Sequence, residues 1–117
     1  MHELSIAHNI VSIVTDSITD YPGAKVNSIR VSVGVYSGVN PEALNFSFPL
    51  ASEGTVVEGA ELLIDTVPLT VVCGECGKGP VDSSSLCCPM CGSNKITIKT
   101  GRDLFVSSID LSVPEER

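Results

Sequence analysis

Apolar residues in the first third of the chain follow two different periods in turn. Within residues 3–21 they recur every three or four positions, which is the spacing of one face of a helix. Pro22 and Gly23 follow immediately and predict that the helix ends there. Within residues 29–35 apolar residues alternate with polar or small ones, which is typical of a half-buried strand. The N-terminal segment is therefore predicted to be an amphipathic helix followed by a strand.

A second helix is predicted from its first residues. Asn40 suits the N-cap, Pro41 the first helical position and Glu42 the first turn. Pro49 stands where this helix should continue. Because proline lacks the backbone donor and its ring clashes with the carbonyl of Asn45, we expect a kink or an early end at that point.

Strand patterns dominate the second half of the chain. Residues 60–72 are rich in Val, Ile and Leu and predict a strand interrupted at Pro68. Residues 95–99 and 104–113 alternate between apolar and polar positions and predict two more strands, on either side of a turn at Gly101.

The order of these elements favours an α+β fold with a small mixed sheet and two helices. The final strand is too hydrophobic to hang free, so we expect it to return to the first sheet. Residues 1–69, completed by residues 104–117, are then predicted to form one α+β domain. Residues 70–103 are predicted to form an inserted zinc-ribbon-like lobe on two short connectors.

Four cysteines form two matched turns, which we call knuckles: Cys73-Gly74-Glu75-Cys76-Gly77 and Cys88-Pro89-Met90-Cys91-Gly92. A Cys-x-x-Cys turn directs two thiolates at one centre, and the following glycine lets the backbone fold beneath the metal. Four thiolates complete the tetrahedron of a structural Zn²⁺ and leave no open position for catalysis. The intervening loop is shorter than is usual for this pattern, so it must be tight. We therefore predict a structural zinc site at Cys73, Cys76, Cys88 and Cys91, with disulfides or free buried thiols as the alternatives.

The fifth cysteine, Cys87, precedes the second knuckle by one residue. We interpret it as a spare thiol beside the site, and the less favoured alternative is an alternate or second-metal ligand. All five cysteines lie between positions 73 and 91, and no secretory signal is visible at the N-terminus. This pattern favours thiolates around a metal in a cytoplasmic protein over a disulfide framework.

Charge argues against several classes of partner. The chain of 117 residues has 14 acidic and 7 basic side chains, for a formal charge of −7. Such a surface repels phosphate backbones and anionic lipid, so we expect neither nucleic acid nor a membrane as partner. The sequence has only two histidines and no phosphate loop or Ser/His/Asp arrangement, so we do not expect an enzyme.

The first two residues have a metal-binding geometry of their own. The terminal amine of Met1, the amide nitrogen of His2 and its imidazole can chelate one ion in fused rings, and Glu3 can supply a fourth donor. Nitrogen donors in a plane suit Ni(II) or Cu(II). From these residues alone a solvated surface histidine is the commoner outcome. His8, on the polar face of the first helix, is interpreted as such a solvated residue.

Three segments together resemble the HypA/HybF family of hydrogenase maturation factors. They are MHELSIA at residues 1–7, SGVNPEAL at residues 37–44, and the paired knuckles with Ser93. The resemblance implies a nickel metallochaperone, not an enzyme, that binds Ni(II) around His2, with Met1 and Glu3, and helps to insert it into [NiFe]-hydrogenase. It also implies a separate structural zinc. The implied partners are the maturation GTPase HypB, the large hydrogenase subunit and, in some organisms, urease maturation proteins.

One position departs from the family pattern in a way that bears on nickel. Some members carry a carboxylate where this chain has Asn40, and an amide is a poorer metal ligand. The alternative function is a zinc-ribbon module that binds nucleic acid or another protein. The charge of −7 disfavours nucleic acid.

Overall fold

The computed structural model describes residues 2–114 and contains two helices and six strands over that range. In chain order the elements are α1 (His2–Ser17), β1 (Lys25–Gly34), α2 (Pro41–Ser52), β2 (Glu61–Val67), β3 (Thr70–Cys73), β4 (Val81–Asp82), β5 (Ile96–Thr100) and β6 (Leu104–Ser112). The architecture is α+β, with the strands in two separate sheets, which confirms the predicted fold class.

The larger sheet has the strand order β2-β1-β6 and is mixed. Strand β1 runs parallel to β2 and antiparallel to β6, so that Ile29 lies between Leu62 and Ile109. The last strand therefore returns to the first sheet, as its hydrophobic alternation predicts.

The main core lies between this sheet and the two helices. Side chains from one face of α1 and one face of α2 pack on the inward residues of β1 and β2. The buried members are Ala7, Ile10, Val11, Val14, Ile18, Val26, Ile29, Val31, Val33, Leu44, Phe48, Ala51, Val57 and Leu62. All are aliphatic except Phe48, in keeping with a sequence that has no Trp and few aromatics.

The smaller sheet has the order β4-β3-β5 and is antiparallel. Outside the cysteines, the buried apolar residues in and beside this sheet are Val71 and Leu69, which lies on the connector before β3. So small a cluster is a weak core for a lobe of this size, and an additional source of stability is expected there.

The chain passes twice between the sheets, beside the end of β1. The interruption predicted at Pro68 is confirmed, and it separates β2 in the larger sheet from β3 in the smaller one. On the return, Gly101 accepts a hydrogen bond from the amide of Tyr36 at 2.7 Å. Gly101 packs so closely on the first connector that an added Cβ would lie 2.6 Å from the Cα of Leu69. The division into two domains at these connectors stays a prediction.

Helix α1 ends at Ser17, four residues before the predicted end at Tyr21. The hydroxyls of Thr15 and Ser17 donate to carbonyls four residues back, and Thr19 donates to the carbonyl of Asp16. Such local hydrogen bonds compete with the helical ladder. Two tight turns then replace the helix, including one closed by the Tyr21 amide on the Ile18 carbonyl at 2.9 Å.

Helix α2 continues through Pro49 to Ser52, so the early end considered for it is wrong. The proline leaves the carbonyl of Asn45 without its helical donor. Asn45 and Pro49 are both exposed, so water can donate a hydrogen bond to the Asn45 carbonyl. Neither helix within residues 2–114 has the length and apolar character that a bilayer crossing requires.

Candidate metal centre

The two knuckles have the same local backbone geometry. The amide of Cys73 donates to the carbonyl of Lys78 at 2.9 Å, and the amide of Cys88 donates to the carbonyl of Ser93 at 2.7 Å. Each bond closes a loop over the same number of residues. Gly77 and Gly92, one residue after each pair, have φ values of 74° and 79°, which favour glycine. The repeated sequence pattern therefore folds into two equivalent half-sites.

The four thiol sulfurs converge on one point. The sulfurs of Cys73, Cys76, Cys88 and Cys91 all lie within 4.8 Å of one another. Sγ of Cys73 is 3.6 Å from Sγ of Cys91, and Sγ of Cys76 is 3.7 Å from Sγ of Cys88. Four sulfurs bound tetrahedrally at about 2.3 Å from one ion would be about 3.8 Å apart. The observed separations fit that tetrahedron, whereas a disulfide would bring two sulfurs to about 2.05 Å.

Backbone amides point at the first sulfur of each knuckle. Sγ of Cys73 accepts from the amides of Glu75 and Cys76 at 3.3 and 3.4 Å, and Sγ of Cys88 accepts from the amide of Met90 at 3.3 Å. The amides of Cys76 and then Glu75 lower the pKa of Cys73 to about 6. The Cys91 amide lowers the pKa of Cys88 below its ordinary value, against the effect of burial. These two sulfurs are thus stabilised as thiolates, the form that binds metal.

The second sulfur of each knuckle has the opposite tendency. The Ser93 amide acts to lower the pKa of Cys91, but the hydrogen bond with Cys73 and desolvation raise this pKa to about 12. The pKa of Cys76 is also raised, by desolvation and thiol hydrogen bonds that outweigh the Lys78 amide. Without metal the cluster therefore retains protons, and an entering cation must displace them.

The centre is buried on one side and open on the other. Cys73 and Cys88 are 2% and 1% exposed, whereas Cys76 and Cys91 face solvent. At the open side, the hydroxyl of Ser93 donates to Oε1 of Glu75 at 2.8 Å and joins the two knuckles. This four-cysteine site suits a structural zinc, because all four donors are soft thiolates and no position is left for substrate.

Cys87 lies outside the group of four sulfurs. Its thiol is 3.1 Å from the hydroxyl of Ser85, and its carbonyl accepts from the hydroxyl of Ser83 at 2.9 Å. Its interpretation as a spare thiol stays a prediction.

The N-terminal residues are organised by a contact that the sequence does not signal. Oε2 of Glu3 accepts a hydrogen bond from the backbone amide of Asn40 at 3.1 Å. That amide is the principal cause that lowers the pKa of Glu3 below its ordinary value. Nδ1 of His2 lies 3.8 Å from the same carboxylate oxygen, and the His2 side chain is exposed. Met1 lies outside the described residues.

Asn40 performs the predicted N-cap role. Its Oδ1 accepts from the amides of Glu42 and Ala43 at 2.9 and 3.1 Å. With side chain and backbone amide both engaged, Asn40 connects the start of α2 to Glu3.

Two helices on a mixed sheet, with a four-thiol centre on a second small sheet, define a small metal-binding α+β protein. The family model described as "Hydrogenase/urease nickel incorporation, metallochaperone, hypA" matches residues 1–111. The chain therefore belongs to the HypA family of nickel metallochaperones for hydrogenase maturation.

Relatives and solved structures agree with this assignment. The chain is 37% identical over 114 residues to "Hydrogenase maturation factor HypA" of Aquifex aeolicus (strain VF5), which covers 97% of this chain and 99% of that protein. It is 42% identical over 113 residues to the protein of the same name from Prosthecochloris aestuarii, with 95% and 99% covered. The solution structure of the Ni metallochaperone HypA from Helicobacter pylori matches with a TM-score of 0.71 at 18% identity, over 96% of this chain and 98% of that one, and supports the fold.

Proposed function

We propose that this protein binds Ni(II) at its N-terminus and helps to insert it into [NiFe]-hydrogenase. The donors are the amine of Met1, the amide nitrogen and imidazole of His2, and the carboxylate of Glu3. Three of these belong to consecutive backbone and side-chain groups, so they can chelate one ion in fused rings. Nitrogen-rich planar sets of this kind suit Ni(II).

The observation that carries the proposal is the position of the Glu3 carboxylate. It is 3.8 Å from the imidazole nitrogen of His2 and is fixed by the amide of Asn40 at 3.1 Å. A carboxylate held beside an exposed imidazole lowers the entropy lost when both bind one ion. Exposure of the site also suits a carrier, because an ion that must be passed on needs an accessible site.

We assign a different role to the four-cysteine centre. A zinc ion bound by Cys73, Cys76, Cys88 and Cys91 would stabilise residues 70–103, whose apolar core is small. Structural zinc contributes on the order of 10 kcal/mol or more to small domains of this type. The closed thiolate set supports a structural role for this ion, separate from the nickel that is carried.

The proposed partners are the maturation GTPase HypB and the large subunit of [NiFe]-hydrogenase, with urease maturation proteins in organisms that have urease. Membership of the hydrogenase maturation family supports this list. The role is delivery rather than catalysis. Cysteines that bind a metal instead of pairing in disulfides favour the reducing cytoplasm as its location.

Metal analysis of the purified protein with its native, untagged N-terminus tests the proposal. We expect one zinc that resists mild chelation and one nickel that exchanges readily. A protein that retains zinc but takes up no nickel would refute the proposed function and leave the structural zinc standing.

A further inference from the structure

Helix α2 presents an apolar cluster to solvent. Phe46 is 77% exposed and Leu50, one turn later, is 64% exposed, with Pro49 between them also exposed. The helical repeat places these residues on one side of α2, opposite the residues that enter the core. We call this side the α2 outer face, and it consists of Glu42, Phe46, Pro49, Leu50 and Glu53.

The clustering distinguishes this face from the other exposed apolar residues. Single exposed apolar side chains are common on proteins and need no explanation. Here two large ones lie at positions i and i+4, where their side chains are neighbours. Neither contributes to the buried core. An exposed cluster with a polar rim is typical of an interaction surface.

The surroundings of the face carry one sign of charge. Residues 2–24 and 35–60, which include both helices and their loops, contain six carboxylates and no Lys or Arg. The six are Glu3, Asp16, Asp20, Glu42, Glu53 and Glu58. Nearly all of the net charge of −7 thus lies in the helical layer. Two of these carboxylates, Glu42 and Glu53, lie at the two ends of the α2 outer face.

This charge selects the kind of partner. A second copy of the chain would place one acidic layer against another, and an anionic membrane would be repelled in the same way. An apolar groove with Lys or Arg at its edges complements both the centre of the face and its ends. Charge complementarity of this type speeds association and fixes register.

We propose that the α2 outer face docks into an apolar groove edged by basic residues on the maturation GTPase. The inference rests on the proposed function, because that function identifies nickel delivery as the process in which the partner acts. The inference adds where the partner binds relative to the nickel site. Phe46 lies about 9 Å along the helix axis from Asn40. The backbone amide of Asn40 holds the Glu3 carboxylate. A partner docked on this face is therefore adjacent to the terminus from which the nickel leaves.

The test uses the full-length, zinc-loaded protein and the purified HypB-type GTPase of the same organism as probe. The double variant Phe46→Ser/Leu50→Ser removes the apolar centre, and Phe105→Ser is the matched control, because Phe105 is 54% exposed on β6. We expect the double variant to bind the GTPase at least about tenfold more weakly, since buried apolar anchors dominate interfaces. The control should change affinity by less than about twofold.

A charge series tests the basic edges of the groove. Glu42→Gln/Glu53→Gln should weaken binding at low salt and reduce its salt dependence, because screening removes only interactions between charges. Asp82→Asn, at an exposed site on β4, should leave both quantities unchanged. Unchanged salt dependence in the Glu42→Gln/Glu53→Gln variant would overturn the assignment of a basic groove.

Three other results would overturn the proposal: an unchanged affinity in Phe46→Ser/Leu50→Ser, no binding of the wild type to the GTPase, or a wild-type dimer that this double variant converts to monomers. The last would assign the face to a second copy. Nickel titration of the same samples judges the proposed function separately. Lost docking with intact nickel binding supports the inference, and absent nickel binding refutes only the proposed function.

Discussion

Replacing Asn40 by alanine tests the coupling between the start of α2 and the N-terminal residues. The change deletes the Oδ1 acceptor, which receives the amides of Glu42 and Ala43 at 2.9 and 3.1 Å. Loss of an N-cap side chain costs about 0.5–2 kcal/mol, and two amides are left without this acceptor here. We expect a loss of about 1–2 kcal/mol, which lowers the melting temperature of a protein of this size by about 4–8 °C.

The same variant should affect Glu3 less directly. The backbone amide of residue 40 remains, but a frayed helix start no longer holds it in place for the carboxylate. Nickel affinity should therefore fall while zinc content stays at one per chain.

Thermal unfolding of the zinc-loaded protein, followed by circular dichroism, measures the change in melting temperature. Asn40→Asp is the control, because aspartate preserves the cap and adds a favourable charge at a helix N-terminus. It should melt at or above the wild-type temperature. If Asn40→Ala melts within about 1 °C of the wild type, the cap does not stabilise α2 as argued.

Three further predictions concern zinc, the connectors and nucleic acid. Cys73→Ser should lose zinc and unfold the small lobe, whereas Cys87→Ser should keep its zinc and the folded lobe. Metal analysis and near-ultraviolet spectra measure the two properties. Zinc loss in Cys87→Ser but not in Cys73→Ser would refute the ligand assignment. Gly101→Ala should cost about 2 kcal/mol or more in the free energy of unfolding, because the new Cβ would meet Leu69 at 2.6 Å with φ at +102°. Gly38→Ala is the control, because Gly38 also has a positive φ of +82° but has open space around it. Chemical denaturation measures both variants. An equal loss in the free energy of unfolding would exclude the clash as the cause. DNA binding at physiological salt should be undetectable in a mobility-shift assay, and measurable affinity would contradict the argument from net charge.

Features encoded by neighbouring residues were predictable from the sequence. The spacing of Cys73 and Cys76 determines a knuckle because the turn itself brings the sulfurs together. The N-cap at Asn40 involves acceptor and donors within three residues. The break at Pro68 follows from the missing backbone donor.

Features that depend on tertiary contacts were not predictable in the same way. The bond between Glu3 and the Asn40 amide joins residues 37 positions apart, and nothing in either segment signals it. The apolar period of α1 continues to Tyr21, yet the helix ends at Ser17. The two-residue strand β4 is too short for any period to be visible.

Exposed apolar residues on α2 illustrate a third kind of limit. Phe46 is 77% exposed, whereas Phe48, two positions later, is buried in the core. Two aromatic residues spaced by two positions cannot both face the core of a helix, and the sequence pattern alone does not decide between them.

Nickel titration shows whether the N-terminus binds the ion. Wild-type protein with its native terminus, His2→Ala, and a form extended before Met1 are compared with zinc already loaded. His2→Ala removes the imidazole donor, and extension converts the terminal amine into an ordinary amide. We expect severely weakened nickel binding in both forms, with fold and zinc content unchanged. His8→Ala should bind nickel like the wild type. Unchanged nickel affinity in both His2→Ala and the extended form would contradict the proposed function, because the terminus would then take no part in binding.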